Sequence, residues 1–257
     1  MRTSVKLSLF GVAAALLAAG VAVPAHADAG EYVALGDSYS SGTGTREYYD
    51  EECLRSNHSY PAQLAADKGY TLNHQACSSA VIDDVRAGQL GALSANTSLV
   101  TVSAGGNDVG FEAVLTQCAK PWPTTCWGDI DKAKATIQDA LPAELDALYS
   151  EIAQAAPEAR VIVVGYPKLF NGEECNAIAR ISPDEQTELN SAADLLADAT
   201  AAKAAAHGFT FVDPRSAFTG HAVCDEEEWV NGTSKPIVES YHPNQIGHDV
   251  YTSEVSG

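Results

Sequence analysis

Five short runs of β-branched, aromatic or other apolar residues, each separated from the next by a helically patterned stretch, constrain this chain more than any other feature. They fall at residues 32–35, 70–76, 98–103, 160–165 and 209–213, and Val161-Ile162-Val163-Val164 is the clearest buried strand among them. Between them, residues 62–68 carry helix signals, with Pro61 near the start and Gly69 past the end. Residues 81–93, weakened by Gly88 and Gly91, and residues 109–117 are also predicted helical. Residues 129–156 form a longer helical stretch that Pro142 must kink or divide. Ser182-Pro183-Asp184-Glu185 opens a further helix with a capping box that runs to about residue 206, and a short helix closes the chain. Strands alternating with helices require a parallel sheet covered on both faces, a three-layer α/β/α sandwich. The chemistry of such sheets gathers beyond the carboxyl ends of the strands. Three polar turns, at Ser38, at Ser78-Ser79 and at Gly105-Gly106-Asn107, each follow a predicted strand and so belong at that one edge.

The first residues set the compartment. Arg2 and Lys6 precede an apolar run over residues 7–23 that ends at Ala25-His26-Ala27, a small-x-small pattern, so residues 1–27 read as a secretory signal peptide and residues 28–257 as a single domain. A retained membrane anchor is the competing reading. The run is marginal for a span and ends in a cleavage pattern, so no stable membrane insertion is expected after removal. A formal net charge of −19 disfavours nucleic acid and gives no attraction to anionic membrane surfaces. Cys53, Cys77, Cys118, Cys126, Cys175 and Cys224 are an even set in an exported chain, which reads as a disulfide framework. Pairing sequence neighbours, 53 with 77, 118 with 126 and 175 with 224, is preferred because it closes local loops without crossing. Zinc has less support, since no CxxC or closely spaced Cys/His pair is present.

Acyl transfer by a serine needs a hydroxyl, a base, a group that fixes the base's tautomer, and donors for the oxyanion. Ser38 lies in Gly36-Asp37-Ser38-Tyr39-Ser40-Ser41-Gly42, at the exit of a strand, where a hydroxyl stands above the sheet; Gly-Asp-Ser also occurs in ordinary turns. Among the histidines, His207 reads as a helix C-cap and His248 as a helix residue, while His58, His74 and His221 have no partner pattern. His242 precedes Pro243, which biases it away from helix, and follows Glu239 by three positions. Glu239 either orients the imidazole or stands as a loop carboxylate near a surface histidine; Asp213 is the fallback acid. Asp37 and Asp108 read as turn braces. Tyr39, Tyr241, Trp122, Trp127 and Trp229 are candidates for packing or for the walls of a substrate site.

Three blocks in order, Gly36-Asp37-Ser38-Tyr39-Ser40-Ser41-Gly42, Gly105-Gly106-Asn107-Asp108 and Glu239-x-x-His242-Pro243-Asn244, resemble those of the GDSL/SGNH hydrolase family, in particular its secreted bacterial lipases, phospholipases and esterases. The resemblance spans the chain beyond residue 27. It implies a flavodoxin-like sandwich with a parallel five-stranded sheet, Ser38 as nucleophile, His242 as base and Glu239 as the orienting acid. It also implies an oxyanion site made of Asn107 with the backbone N–H groups of Ser38 and Ser79. Ser79 stands where the family has glycine, and Glu239 where it usually has aspartate. Some relatives use a main-chain carbonyl in place of the acid. The resemblance supports the neighbour-paired disulfides and implies a secreted monomer that cleaves lipid or other small-molecule esters without metal or cofactor. A carbohydrate or aryl esterase, or a silent binding module of the same fold, is the alternative.

Overall fold

In a computed structural model, residue 1 and residues 29–121, 123–175 and 181–257 are described. The expected signal peptide, the domain boundary after residue 27, and Trp122 lie outside the described residues. The chain forms β1 (Glu31–Gly36), α1 (Ser38–Ser41), α2 (Tyr60–Lys68), β2 (Thr71–His74), α3 (Ile82–Asp84), β3 (Thr97–Ser103) and α4 (Phe111–Cys118). It continues through α5 (Trp127–Asp139), α6 (Leu141–Ala155), β4 (Arg160–Val164), α7 (Pro183–Ala206), β5 (Thr210–Val212) and α8 (Gln245–Ser256), with a 3-10 turn at Ile237–Glu239 before α8. The five strands form one parallel sheet in the order β2-β1-β3-β4-β5, as the strand-helix alternation requires.

That order has a consequence for function. From β1 the chain first moves outward to β2, then returns across β1 to β3 and onward in the other direction. The connections leaving β1 and β3 therefore diverge and open a crevice above the carboxyl ends of these two strands. Ser38 and Asn107 follow those two strands.

The strands are buried on both sides by alternation. Tyr32 and Ala34 of β1 join a cluster with Leu64 of α2 and Tyr251 of α8, while Val33 and Leu35 join Leu145 and Leu148 of α6 and Leu196 of α7. Pro142 sits in the first turn of α6, where no N–H is needed, and splits the 129–156 stretch into α5 and α6. At the start of α7, Ser182 Oγ accepts from Glu185 N, and Glu185 Oε2 accepts from Ser182 N at 3.1 Å, closing the expected capping box.

Residues 81–93 depart from the single helix expected. A turn of α-helix passes into a π-helical segment at Val85–Gln89 and a 3-10 turn at Leu90–Ala92. Gln89 shows what the irregularity achieves. Its Oε1 accepts from Gly36 N at 2.7 Å and its Nε2 donates to Gly36 O at 2.9 Å. The register of β2 with β1 ends at Ala34. The buried Gln89 amide thus gives Gly36 N an acceptor on the side that β2 no longer covers, and shares the Gly36 carbonyl with Cys77 N.

All three disulfides pair sequence neighbours, Cys53 with Cys77, Cys118 with Cys126 and Cys175 with Cys224. No helix among the described residues is long and apolar enough to cross a membrane.

Candidate active site

The nucleophile turn is built by close approach of β1 to β3. Gly36 has φ +120°, and a Cβ there would lie 2.2 Å from the Ser103 carbonyl oxygen, so only glycine fits. Asp37 follows as the N-cap of α1. Its Oδ1 accepts from Tyr39 N at 3.0 Å and from Ser103 Oγ at 2.8 Å, and its Oδ2 accepts from the Tyr166 hydroxyl at 2.5 Å. Burial pushes the Asp37 carboxyl up to about 6, against the pull of the Tyr166 and Ser103 hydroxyls and the Tyr39 N–H. The expectation that Asp37 braces its turn holds. Asp108 does the same for the next turn, accepting from Ile82 N at 3.0 Å.

Ser38 begins α1, and its Oγ lies 2.7 Å from His242 Nε2. The ring's Nδ1 is 2.9 Å from the Ser240 carbonyl oxygen. A carbonyl only accepts, so Nδ1 carries the proton and Nε2 is left to accept from the serine. Burial holds the His242 imidazole down at about 4, offset in part by the Ser240 carbonyl. The ring is therefore neutral around pH 7 and fit to take a proton.

Glu239 is not where the sequence placed it. It is 2 % exposed and turned away from the imidazole. Its Oε1 accepts from the Tyr48 hydroxyl at 2.8 Å, and its Oε2 lies 3.3 Å from Arg46 Nε. Tyr48 in turn accepts from Gly44 N at 3.0 Å. The spacing of three residues fails because Glu239 ends the 3-10 turn and Tyr241 then adopts φ +61°, which brings the Ser240 carbonyl, and not the Glu239 carboxylate, to Nδ1. The fallback acid also stands elsewhere, since Asp213 is paired with Arg215 at 2.6 Å. Glu239, with Tyr48, anchors the loop that follows the nucleophile. The tyrosines of residues 46–52 thus serve that loop and its neighbour, Tyr49 reaching His74 Nδ1 at 2.8 Å, and neither lines the cavity above Ser38.

The other two predicted residues meet Ser38 at one cavity. Ser38, Ser79, Asn107 and His242 all line a space of about 420 Å³. Asn107 Nδ2 donates to Ala80 O at 2.9 Å, which fixes its amide against the second turn and leaves one N–H uncommitted. Ser79 adopts φ +65°, the left-handed region that glycine enters freely and serine does not. Among the described residues, neither Ser38 N nor Ser79 N has an acceptor. The same cavity is lined by buried apolar side chains, Leu115 of α4, Leu169, and Ala193 and Leu196 of α7.

Tyr39 and Tyr241 both line the cavity, whereas Trp229 packs on Phe218 and stacks on His221. His248 is packed, fully buried behind the site, and burial holds its ring down at about 3. His207 caps α7 as expected and reaches Asp146 at 3.1 Å. The resemblance offers a main-chain carbonyl in place of the acid without saying which, and here it is that of Ser240; Tyr166 is not singled out by the sequence. A backbone atom carries no residue-type signal. Tyr166 stands just past the carboxyl end of β4, which the rule for parallel sheets marks as a place to look.

A family model described as the GDSL-like lipase/acylhydrolase family matches residues 34–250. Lipase 1 of Streptomyces coelicolor is 43% identical over 234 residues, covering 89% of this chain and 85% of that protein. Among solved structures, the extracellular lipase of Streptomyces rimosus aligns with a TM-score of 0.84 at 40% identity, covering 89% of this chain and 99% of that one. The phospholipase A1 of Streptomyces albidoflavus aligns with a TM-score of 0.84 at 39% identity, covering 88% and 98%.

Proposed function

The chain belongs to the GDSL-like lipase/acylhydrolase family, and from that premise we propose that it is a secreted enzyme, acting as a single chain, that cleaves carboxylic esters of lipids through an acyl-enzyme on Ser38. The observation that carries the proposal is the 2.7 Å contact between Ser38 Oγ and a neutral His242 Nε2 at an apolar cavity.

The steps follow from the geometry. Ser38 Oγ attacks the ester carbonyl carbon as His242 Nε2 takes its proton. The imidazolium that forms keeps its Nδ1–H on the Ser240 carbonyl. The oxyanion is held by Asn107 Nδ2 with the free N–H groups of Ser38 and Ser79. Collapse of the intermediate expels the alcohol, which leaves with the proton from His242. Water then attacks the acyl-Ser38 ester with His242 again as base, releases the fatty acid and restores the serine.

Lipid acyl chains are favoured over acetyl groups because Leu115, Leu169, Ala193 and Leu196 give the cavity apolar surface that an acetyl group would leave unfilled. The names of the relatives, lipase and phospholipase A1, point the same way. Secretion is supported by the signal pattern of residues 1–27 and by the extracellular relative.

The test is covalent labelling with an alkyl phosphonate, followed by a panel of phospholipid, triacylglycerol, aryl ester and acetylated sugar. The expected result is an adduct on Ser38, with kcat/KM highest for the long-chain lipid esters. Absence of an adduct, or best turnover on the acetylated sugar, overturns the reading.

A further inference from the structure

We propose that the Tyr39 hydroxyl is a positioning group for the His242 base, holding through the backbone what an orienting carboxylate would otherwise hold; the inference rests on the acyl-enzyme reading above.

The need for such a group is visible in the geometry. Among the described residues no carboxylate reaches His242 Nδ1, whose partner is the Ser240 carbonyl at 2.9 Å. The direction of that carbonyl is set by the residue after it. Tyr241 adopts φ +61°, a conformation that costs a bulky side chain free energy and persists only when its surroundings hold it. Two hydrogen bonds do so. Tyr241 N donates to Asn231 O at 2.9 Å, and the Tyr39 hydroxyl donates to Tyr241 O at 2.7 Å. The first ties Tyr241 to its own loop. The second ties it to the nucleophile turn.

Tyr39 is placed to do this with little play. It is the residue after Ser38, and its own N–H is fixed on Asp37 Oδ1 at 3.0 Å. Its ring is nearly buried, lies edge-on to Tyr166 at 5.0 Å, and sits 5.2 Å from the imidazole of His242. Backbone and ring are thus anchored on the sheet side, and the hydroxyl reaches across to the base side. Nucleophile and base are then set from one residue, so a shift of the 229–244 loop cannot separate Nε2 from Oγ without breaking the 2.7 Å bond to Tyr241 O. A buried phenol needs an acceptor in any case. What distinguishes a positioning role is that losing the hydroxyl should disturb the chemistry of His242 more than it disturbs the fold.

Tyr39→Phe keeps the ring packing and removes only the donor. The readouts are steady-state kinetics of the full chain on a soluble aryl ester, its pH profile, and Tm. In the wild type, activity should fall as pH drops through about 4, where burial leaves His242 to take up a proton. The titratable groups set against the imidazole are His248 from α8 and Tyr39 itself, and Asp37 lies within the turn that carries Ser38. In Tyr39→Phe, kcat should fall about tenfold with KM within about twofold, the size expected for one lost hydrogen bond. The acid limb should move to lower pH, because a loosened Ser240 carbonyl supports the imidazolium less. Tm should stay within a few degrees.

Unchanged kcat overturns the proposal. So does a fall in kcat with the acid limb unmoved, or one that follows a large fall in Tm. If Tyr39→Phe does not fold, replacing Tyr39 with 4-fluorophenylalanine fills the hydroxyl's space without a donor and is read by the same criteria. A wild-type chain with no turnover on any ester would sink the acyl-enzyme reading and the positioning role with it, whereas an active wild type and an equally active Tyr39→Phe would sink the positioning role alone.

Discussion

The turn that carries Ser38 and the loop that carries His242 meet at 2.7 Å, yet they are held in different ways. The turn spans residues 36–42 and is fastened to the sheet. Asp37 N donates to Ser103 O, the Asp37 carboxylate accepts from Ser103 Oγ, and Gly36 is pressed against β3 too closely for any side chain. The loop that carries His242, residues 229–244, has one 3-10 turn, pairs its backbone largely with itself, and is tied to the serine side by Tyr39 on Tyr241 O, Tyr48 on Glu239 and Asn231 Nδ2 on Gly44 O. Asn231 N donates to His242 O, Tyr241 N to Asn231 O, and Asn244 N to Trp229 O. Each side also buries a carboxylate, Asp37 on one and Glu239 on the other, and neither touches the imidazole. A nucleophile set by a sheet needs few further supports. An imidazole on an irregular loop has its Nδ1 met by the loop's own backbone, here the neutral Ser240 carbonyl, and in the proposed mechanism that carbonyl orients the base.

The largest effect is expected where the two sides meet. His242→Ala removes the proton acceptor and leaves the sheet-held serine in place, so kcat should fall by about 10⁴-fold or more with little change in Tm. If activity survived within about a hundredfold, another group would be acting as base and the loop's role would have been misassigned.

A smaller loss is expected on the sheet side. Asn107 follows β3 and is fixed by its bond to Ala80 O, so Asn107→Ala should lower kcat by about 10² to 10³-fold through loss of one oxyanion donor. Steady-state kinetics would separate this from binding. A rise in KM with kcat intact would mean that Asn107 contacts the ester in the ground state and not the developing charge.

The same division explains which parts of the site were legible in the sequence. Ser38 and Asn107 stand just after strands, and the alternation of strands with helices was enough to bring them to one edge. The capping box at Ser182 and the break at Pro142 are local signals, and they appear where expected. His242 was found through Pro243 and the resemblance of its block. Glu239 was assigned to it by a spacing of three residues, a rule that presumes ordinary backbone between them. The left-handed Tyr241 breaks that presumption, and nothing in a tyrosine announces a positive φ. The π-helical turn at Val85–Gln89 is hidden for a related reason, since it serves a pair of hydrogen bonds between the Gln89 side-chain amide and Gly36, 53 residues away in sequence.

Glu239→Gln gives the smallest expected effect and tests the base side most sharply. If the carboxylate oriented the imidazole, removing its charge would strip support from the imidazolium and cost activity on the scale of a lost triad acid, about 10⁴-fold. The structure gives it other work. Glutamine keeps a carbonyl oxygen that can accept from the Tyr48 hydroxyl, so the brace through Tyr48 to Gly44 N survives. What is lost is the charge facing Arg46, whose side chain is 61% exposed, and water screens that pair heavily. Turnover should therefore stay within about threefold of wild type and Tm should drop by no more than a few degrees, since one screened pair contributes roughly 0 to 1 kcal/mol. A loss comparable to that of His242→Ala would mean that the carboxylate turns toward Nδ1 in the working enzyme, and the Ser240 carbonyl would then be a resting partner rather than the group that orients the base.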